Sequence, residues 1–171
     1  MAESAPQERL QPALLDRLTD DEPDRKLELR EERVITKSKL RQAVLRDLAW
    51  LFNATRMGDH EEFAGAPLAE SSVINFGLPA LSGETASTMD VLELERSIKQ
   101  SILDYEPRLM ASTLQVEALV SEDQMNRHNV ISVQIRGNLW AQPVPLELLL
   151  RTEVDLETGK VEIRDLAKSG F

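Results

Sequence analysis

Few residues in this chain have the types and spacing that chemistry demands. Asp104 and Glu106 flank what reads as a helix end, and a pair of carboxylates is the machinery of glycoside hydrolysis. That reaction needs one carboxyl in a dry pocket, with its partner several ångströms away across a substrate cleft. Nothing in the sequence implies a cleft, and four Phe, two Trp and one Tyr are few to line a sugar groove. The two histidines, His60 and His128, lie in polar, loop-like stretches. Asp59-His60-Glu61-Glu62 offers oxygen and nitrogen donors, but adjacent residues rarely converge on one ion, so it reads as a solvated charge run and no metal is assigned. The absence of cysteine excludes a thiol nucleophile, a Cys-based zinc site and a disulfide scaffold. No glycine-rich nucleotide loop, nucleophile-elbow serine or paired-histidine helix motif occurs, and no cofactor is implied.

The segment that stands apart is Tyr105-Glu106-Pro107-Arg108-Leu109. Read as extended chain after a helix, it places Tyr105, Pro107 and Leu109 toward the core and projects Glu106 and Arg108 together on the other side. Pro107 fixes the local backbone, so the two charges are presented with little freedom left to lose. Two roles fit equally. One is an intramolecular pair sealing the junction, worth about 0–1 kcal/mol if exposed. The other is a rigid charged prong for a partner, where losing one member of a desolvated pair costs about 2–5 kcal/mol.

Two helices and a run of strands must position this segment. Leu40, Val44, Leu48, Leu51 and Phe52 recur at intervals of three and four, predicting a helix over Ser38 to Phe52 with Thr36 or Ser38 as its cap. Lys37, Lys39 and Arg41 lie near its first turn, where the helix dipole disfavours cations; solvent screening at an exposed end is the favoured explanation over cations facing an acidic partner. Val91, Leu94, Ile98, Ile102 and Tyr105 predict a second helix from about Asp90 to Asp104 or Tyr105, ended by Pro107. Between the two, residues 53–88 read as irregular chain punctuated by glycine and proline, with one helical turn near Ser71 to Phe76 stopped by Gly77. Alternation then predicts strands over 114–120, 131–139 and 147–156, with Glu157-Thr158-Gly159 turning into a last strand carrying Val161 and Ile163. Helices first and an antiparallel meander afterwards describe an α+β fold, with the helices on one face of the sheet.

Length and charge bound the rest. At 171 residues the chain is large enough for one core, here residues 36–171. Residues 1–35 read as a tail in which Leu10, Leu14, Leu15 and Leu18 support a short helix over Pro12 to Thr19, too short to be stable undocked, which either tucks Leu14, Leu15 and Leu18 onto the core or is offered to a partner. Thirty acidic against 20 basic residues give a net charge of −10, which repels phosphate backbones and argues against nucleic acid. No apolar run is long enough to span a bilayer and no signal pattern opens the chain, so a cytoplasmic location without membrane insertion is expected.

Five blocks in order resemble a known family. They are Leu14 to Leu18; Leu40 to Asn53, centred on Val44-Leu45-Arg46-Asp47-Leu48; Ser72 to Pro79; Glu106-Pro107-Arg108-Leu109; and Gly137-Asn138-Leu139-Trp140 through Thr152 to Leu156. Together they resemble the baseplate wedge family of contractile injection machines, in the branch of the TssE subunits of type VI secretion. One departure is Asn53-Ala54-Thr55-Arg56, one residue longer than the family's usual Asn-Thr-Arg. The resemblance implies a non-enzymatic structural subunit of a cytoplasmic baseplate attached to the inner-membrane complex. Its implied partners are the wedge proteins TssF, TssG and TssK and the sheath proteins TssB and TssC. It implies that Glu106, Pro107 and Arg108 form a docking element. Joined to the strand pattern, it suggests that Val161 and Ile163 lie on a sheet edge to which a sheath strand adds. Two other functions stay in view: murein hydrolysis, after the "lysozyme" label of a phage member, and inhibition of a regulator, after a related anti-adaptor.

Overall fold

A computed structural model describes residues 13–19, 36–58, 60–81, 90–119, 129–141 and 144–166. Its α-helices are α1 (Leu14–Leu18), α2 (Lys37–Phe52), α3 (Pro67–Glu70) and α4 (Val91–Tyr105), with short 3-10 turns at Val73–Asn75 and Ala111–Thr113. The strands β1 (Gln115–Leu119), β2 (Val130–Leu139), β3 (Leu146–Asp155) and β4 (Val161–Asp165) form one antiparallel sheet in the order β1-β2-β3-β4. This is the expected α+β arrangement. Most of the 1–35 tail, together with His128 and Val120, lies outside the described residues.

The two long helices form where the apolar spacing places them. Thr36 caps α2 by accepting the Lys39 N–H, and Asp90 caps α4 by accepting those of Leu92 and Glu93, so free amides at both starts are satisfied. Val44, Leu48 and Leu51 of α2 and Leu94, Ile98 and Ile102 of α4 are buried against Val133, Ile135 and Leu139 of β2 and Leu148, Leu150 and Val154 of β3. Full burial of such a side chain contributes about 1.5–3 kcal/mol. The opposite sheet face carries Arg136, Glu147 and Glu162, as the period of two requires.

The region between the helices is more ordered than its glycine and proline content suggests. Pro67 opens α3 at a position where no amide donor is needed. The Arg56 N–H donates to the Leu78 carbonyl (2.8 Å) and the Leu78 N–H to that of Ala54 (2.9 Å), making a parallel bridge between Thr55 and Leu78. The segment with the extra residue is therefore fastened to the chain after Gly77. Gly77 has φ +135, and a Cβ there would strike the Ala54 carbonyl, so only glycine fits the close approach. Gly159, at φ +70, closes the β3–β4 hairpin, where its N–H donates to the Asp155 carbonyl at 2.8 Å.

Candidate functional site: a locked corner and a sheet edge

The chain after α4 does not run extended. Glu106 ends the helix, its N–H still donating to the Ile102 carbonyl (2.9 Å), and the Leu109 N–H donates back to the Glu106 carbonyl (3.1 Å). The segment Glu106 to Leu109 is thus a turn with proline second, the position its fixed φ suits. Side chains do not alternate around a turn, which corrects the expected facing. Glu106 is 3% exposed, Pro107 points to solvent, Arg108 is half-buried and Leu109 is in the core. The two charges do not project side by side.

They close on each other instead. Glu106 Oε1 accepts the backbone N–H of Arg108 (3.1 Å) and its Nε–H (2.7 Å), while Oε2 accepts from Nη2. The same Nη2 donates to Asp47 Oδ2 at 2.6 Å. Asp47 Oδ1 accepts from Arg46 Nε (2.9 Å), and Arg46 Nη1 donates to Asp16 Oδ1 (2.6 Å). Five side chains of alternating sign run from the buried Glu106 to α1. Burial alone would lower the Arg108 pKa, but bonding to Glu106 and Asp47 outweighs it and raises the pKa above its ordinary value. The Asp16 bond leads in raising that of Arg46, against a smaller opposing effect of burial.

Segments distant in sequence hold the corner. The Met110 N–H donates to the Asn138 carbonyl (2.9 Å) and the Trp140 N–H to that of Arg108 (2.8 Å), stitching the exit of the turn to the end of β2. Tyr105 packs edge-to-face on Phe76, ring centroids 5.2 Å apart, and its hydroxyl donates to the Ser72 carbonyl at 2.9 Å. Burial first, then Asp104, pushes the Tyr105 phenol above its usual range. The Arg46 guanidinium lies 5.2 Å from the centroid of the Trp50 ring, which is half exposed. A cavity of about 270 Å³ opens between these groups and α1. Asp16, Asp47, Phe76, Arg108 and Asn138 come from all five sequence blocks, and they meet here.

The second candidate region is β4. It is an edge strand, as expected from its place after the final hairpin. At its start the Asn53 side chain acts as a substitute neighbour, Oδ1 accepting the Val161 N–H (3.0 Å) and Nδ2 donating to the Val161 carbonyl (2.9 Å). At its end Arg41 binds both oxygens of Asp165 (2.6 Å each) and the Glu147 carbonyl (2.9 Å). Arg41 therefore serves as an internal clamp from α2 to the sheet, rather than a solvated cation. Because Lys160 bonds Asp155 of β3 and Val161 faces outward to Asn53, alternation turns the Ile163 N–H and C=O outward as well. Neither Ile163 group has a partner among the described residues. Val161 thus lies on the expected edge, but its main chain is already occupied.

Asp104 bonds Gln100 on the exposed side of α4 (2.8 Å), apart from the lock around Glu106. His60 Nδ1 lies 2.9 Å from Glu70, and no cluster of potential metal ligands occurs among the described residues. No helix among them is long and apolar enough to cross a membrane. Asp16, Arg46, Asp47 and Trp50 join the site only through the fold. The available signal was an Arg-Asp doublet set between core leucines.

The family model for baseplate wedge protein gp25 matches residues 38–144, a span that holds nearly all of α2, the Glu106 turn and β2. No curated protein and no solved structure gives a significant match. The chain belongs to the baseplate wedge protein gp25 family, which is also that of the TssE subunits.

Proposed function

We propose that the chain is a non-enzymatic structural subunit of a type VI secretion baseplate wedge, acting in the cytoplasm on a baseplate attached to the inner-membrane complex. In this reading the surface around Glu106, Pro107 and Arg108 docks on TssF, TssG and TssK. The outer edge of β4 then offers the main chain of Ile163 to a strand of TssB or TssC, helping to start the sheath. With Asn53 covering Val161, strand addition begins at Ile163 and proceeds toward Asp165.

The observation that carries the reading is the position of Arg108. Its guanidinium fills the space between Glu106 and Asp47, where a hydrolase would need room for a sugar or an attacking water. The same bonds stiffen a turn that presents Pro107 and part of Arg108 outward, which favours docking over bond cleavage. Tagged protein recovered from its native cells is expected to carry the wedge partners, and purified protein to leave peptidoglycan intact. Murein cleavage that disappears in Glu106→Gln would overturn this reading.

A further inference from the structure

One wall of the cavity beside the corner is α1, and α1 is weakly held. None of its residues is buried, and Leu14 and Leu18 are 69% and 73% exposed. Five residues do not sustain a helix alone. Among the described residues its polar tie to the rest of the domain is the bond from Arg46 to Asp16 Oδ1. The other oxygen, Asp16 Oδ2, is buried without a hydrogen-bond partner among the described residues, a costly state for a carboxylate. Beneath α1 lies a surface suited to a better occupant. Arg46 offers a cation anchored from behind by Asp47, and Trp50, Phe76 and Tyr105 offer aromatic area beside it. Such a surface selects a carboxylate flanked by apolar side chains, the pattern that Leu14-Leu15-Asp16-Arg17-Leu18 itself displays.

Building on the corner as a docking surface, we propose that this groove seats a partner helix carrying one carboxylate between apolar side chains. In the free chain α1 fills the groove as an exchangeable clip. The partner's carboxylate takes Arg46 from Asp16, its apolar side chains cover Trp50, and α1 leaves.

The chain has no cysteine, so a nitroxide attached at Leu14→Cys, an exposed site, reports on α1 alone. In the free protein, adding Asp16→Asn should convert a restrained spectrum to a mobile one; a label that stays restrained would overturn the clip. Purified TssF–TssG complex serves as the partner probe, with binding followed separately by sedimentation. Complex formation with release of the label supports the exchange, and Asp16→Asn should then bind about two- to fivefold tighter because no clip competes. Complex formation with the label unchanged or further restrained defeats the exchange while leaving the docking surface intact. Failure of the unmutated chain to bind at all defeats the docking reading and the exchange with it.

Discussion

In the proposed role, the corner and the β4 edge would meet a neighbour in two different ways. At the corner the interacting groups are side chains, already joined to one another from Glu106 through Arg108 and Asp47 to Arg46. On β4 the interacting groups belong to the main chain, engaged at Val161 by Asn53 and turned outward at Ile163. The opposite edge sharpens the contrast, since Glu95 Oε1 accepts the outward N–H of Ala118 in β1 at 2.7 Å. The Glu106–Arg108–Asp47 bonds are thus part of the fold, and removing one of them disturbs it. The outward amide of Ile163 has no partner among the described residues, so the sheet's own ladder does not depend on it.

The largest effect should come from Glu106→Ala. It leaves Arg108 with Asp47 alone in a site built for two acids, and loss of one partner of a buried pair costs several kcal/mol. Allowing for the partial exposure of Arg108, about 2–4 kcal/mol is expected, a fall in Tm of roughly 5–15 °C. A thermal scan with no shift would break the contrast at once. Arg108→Ala should come close behind, at about 2–3 kcal/mol, because it leaves the buried Glu106 carboxylate with only the backbone N–H of residue 108. Arg108→Lys should recover only part of this loss, since an ammonium cannot reproduce the planar fork shared by Glu106 and Asp47.

On the edge the order reverses between stability and assembly. Val161→Pro removes the amide held by Asn53 from a buried position and should lower stability by about 1–3 kcal/mol, read as a clear fall in Tm. Ile163→Pro removes an outward amide, a place where sheets accept proline, and trims a half-buried side chain that packs against the core. It should stay folded at a cost of about 1–2 kcal/mol while sheath initiation, counted by fluorescence microscopy, falls away. Normal sheaths in a folded Ile163→Pro protein would refute strand addition.

The smallest expected effect is one of pH, at the hairpin that delivers β4. Asp155 Oδ1 accepts the N–H groups of Glu157 and Thr158. Bonding at Thr158, side chain and then backbone, is the leading cause that holds its pKa below the ordinary 3.8. A carboxyl depressed in the folded state contributes stability that is present above its unfolded pKa and is lost as pH falls through the folded value. Amide exchange at Gly159 should therefore accelerate on acidification below about pH 4, relative to the chemical rate, and this dependence should vanish in Asp155→Asn.

Much of the fold was legible because local pattern and tertiary role coincide in it. The stripe from Leu40 to Phe52 and the alternation from Ile131 to Leu139 each fix a face, and the core uses those faces. The turn at Glu106 was misread because alternation holds only for extended chain, and the residue after a helix end need not be extended. Asp47 and Asp16 were missed for a different reason. Their partners lie 61 and 30 residues away, and no periodicity records which surface charge will meet which after folding. Helix α3 was hidden by the glycines and prolines around it, although Pro67 suits a first turn.

The central claim is that the chain works by non-covalent assembly, with a self-locked corner beside an edge whose open main chain begins at Ile163. Amide hydrogen exchange at Ile163, with and without purified TssB–TssC bound, tests it most directly. The free chain should exchange Ile163 much faster than Val161, and binding should slow Ile163 by about tenfold or more as its amide gains a strand partner. Unchanged exchange at Ile163 in a fully formed complex would contradict the account.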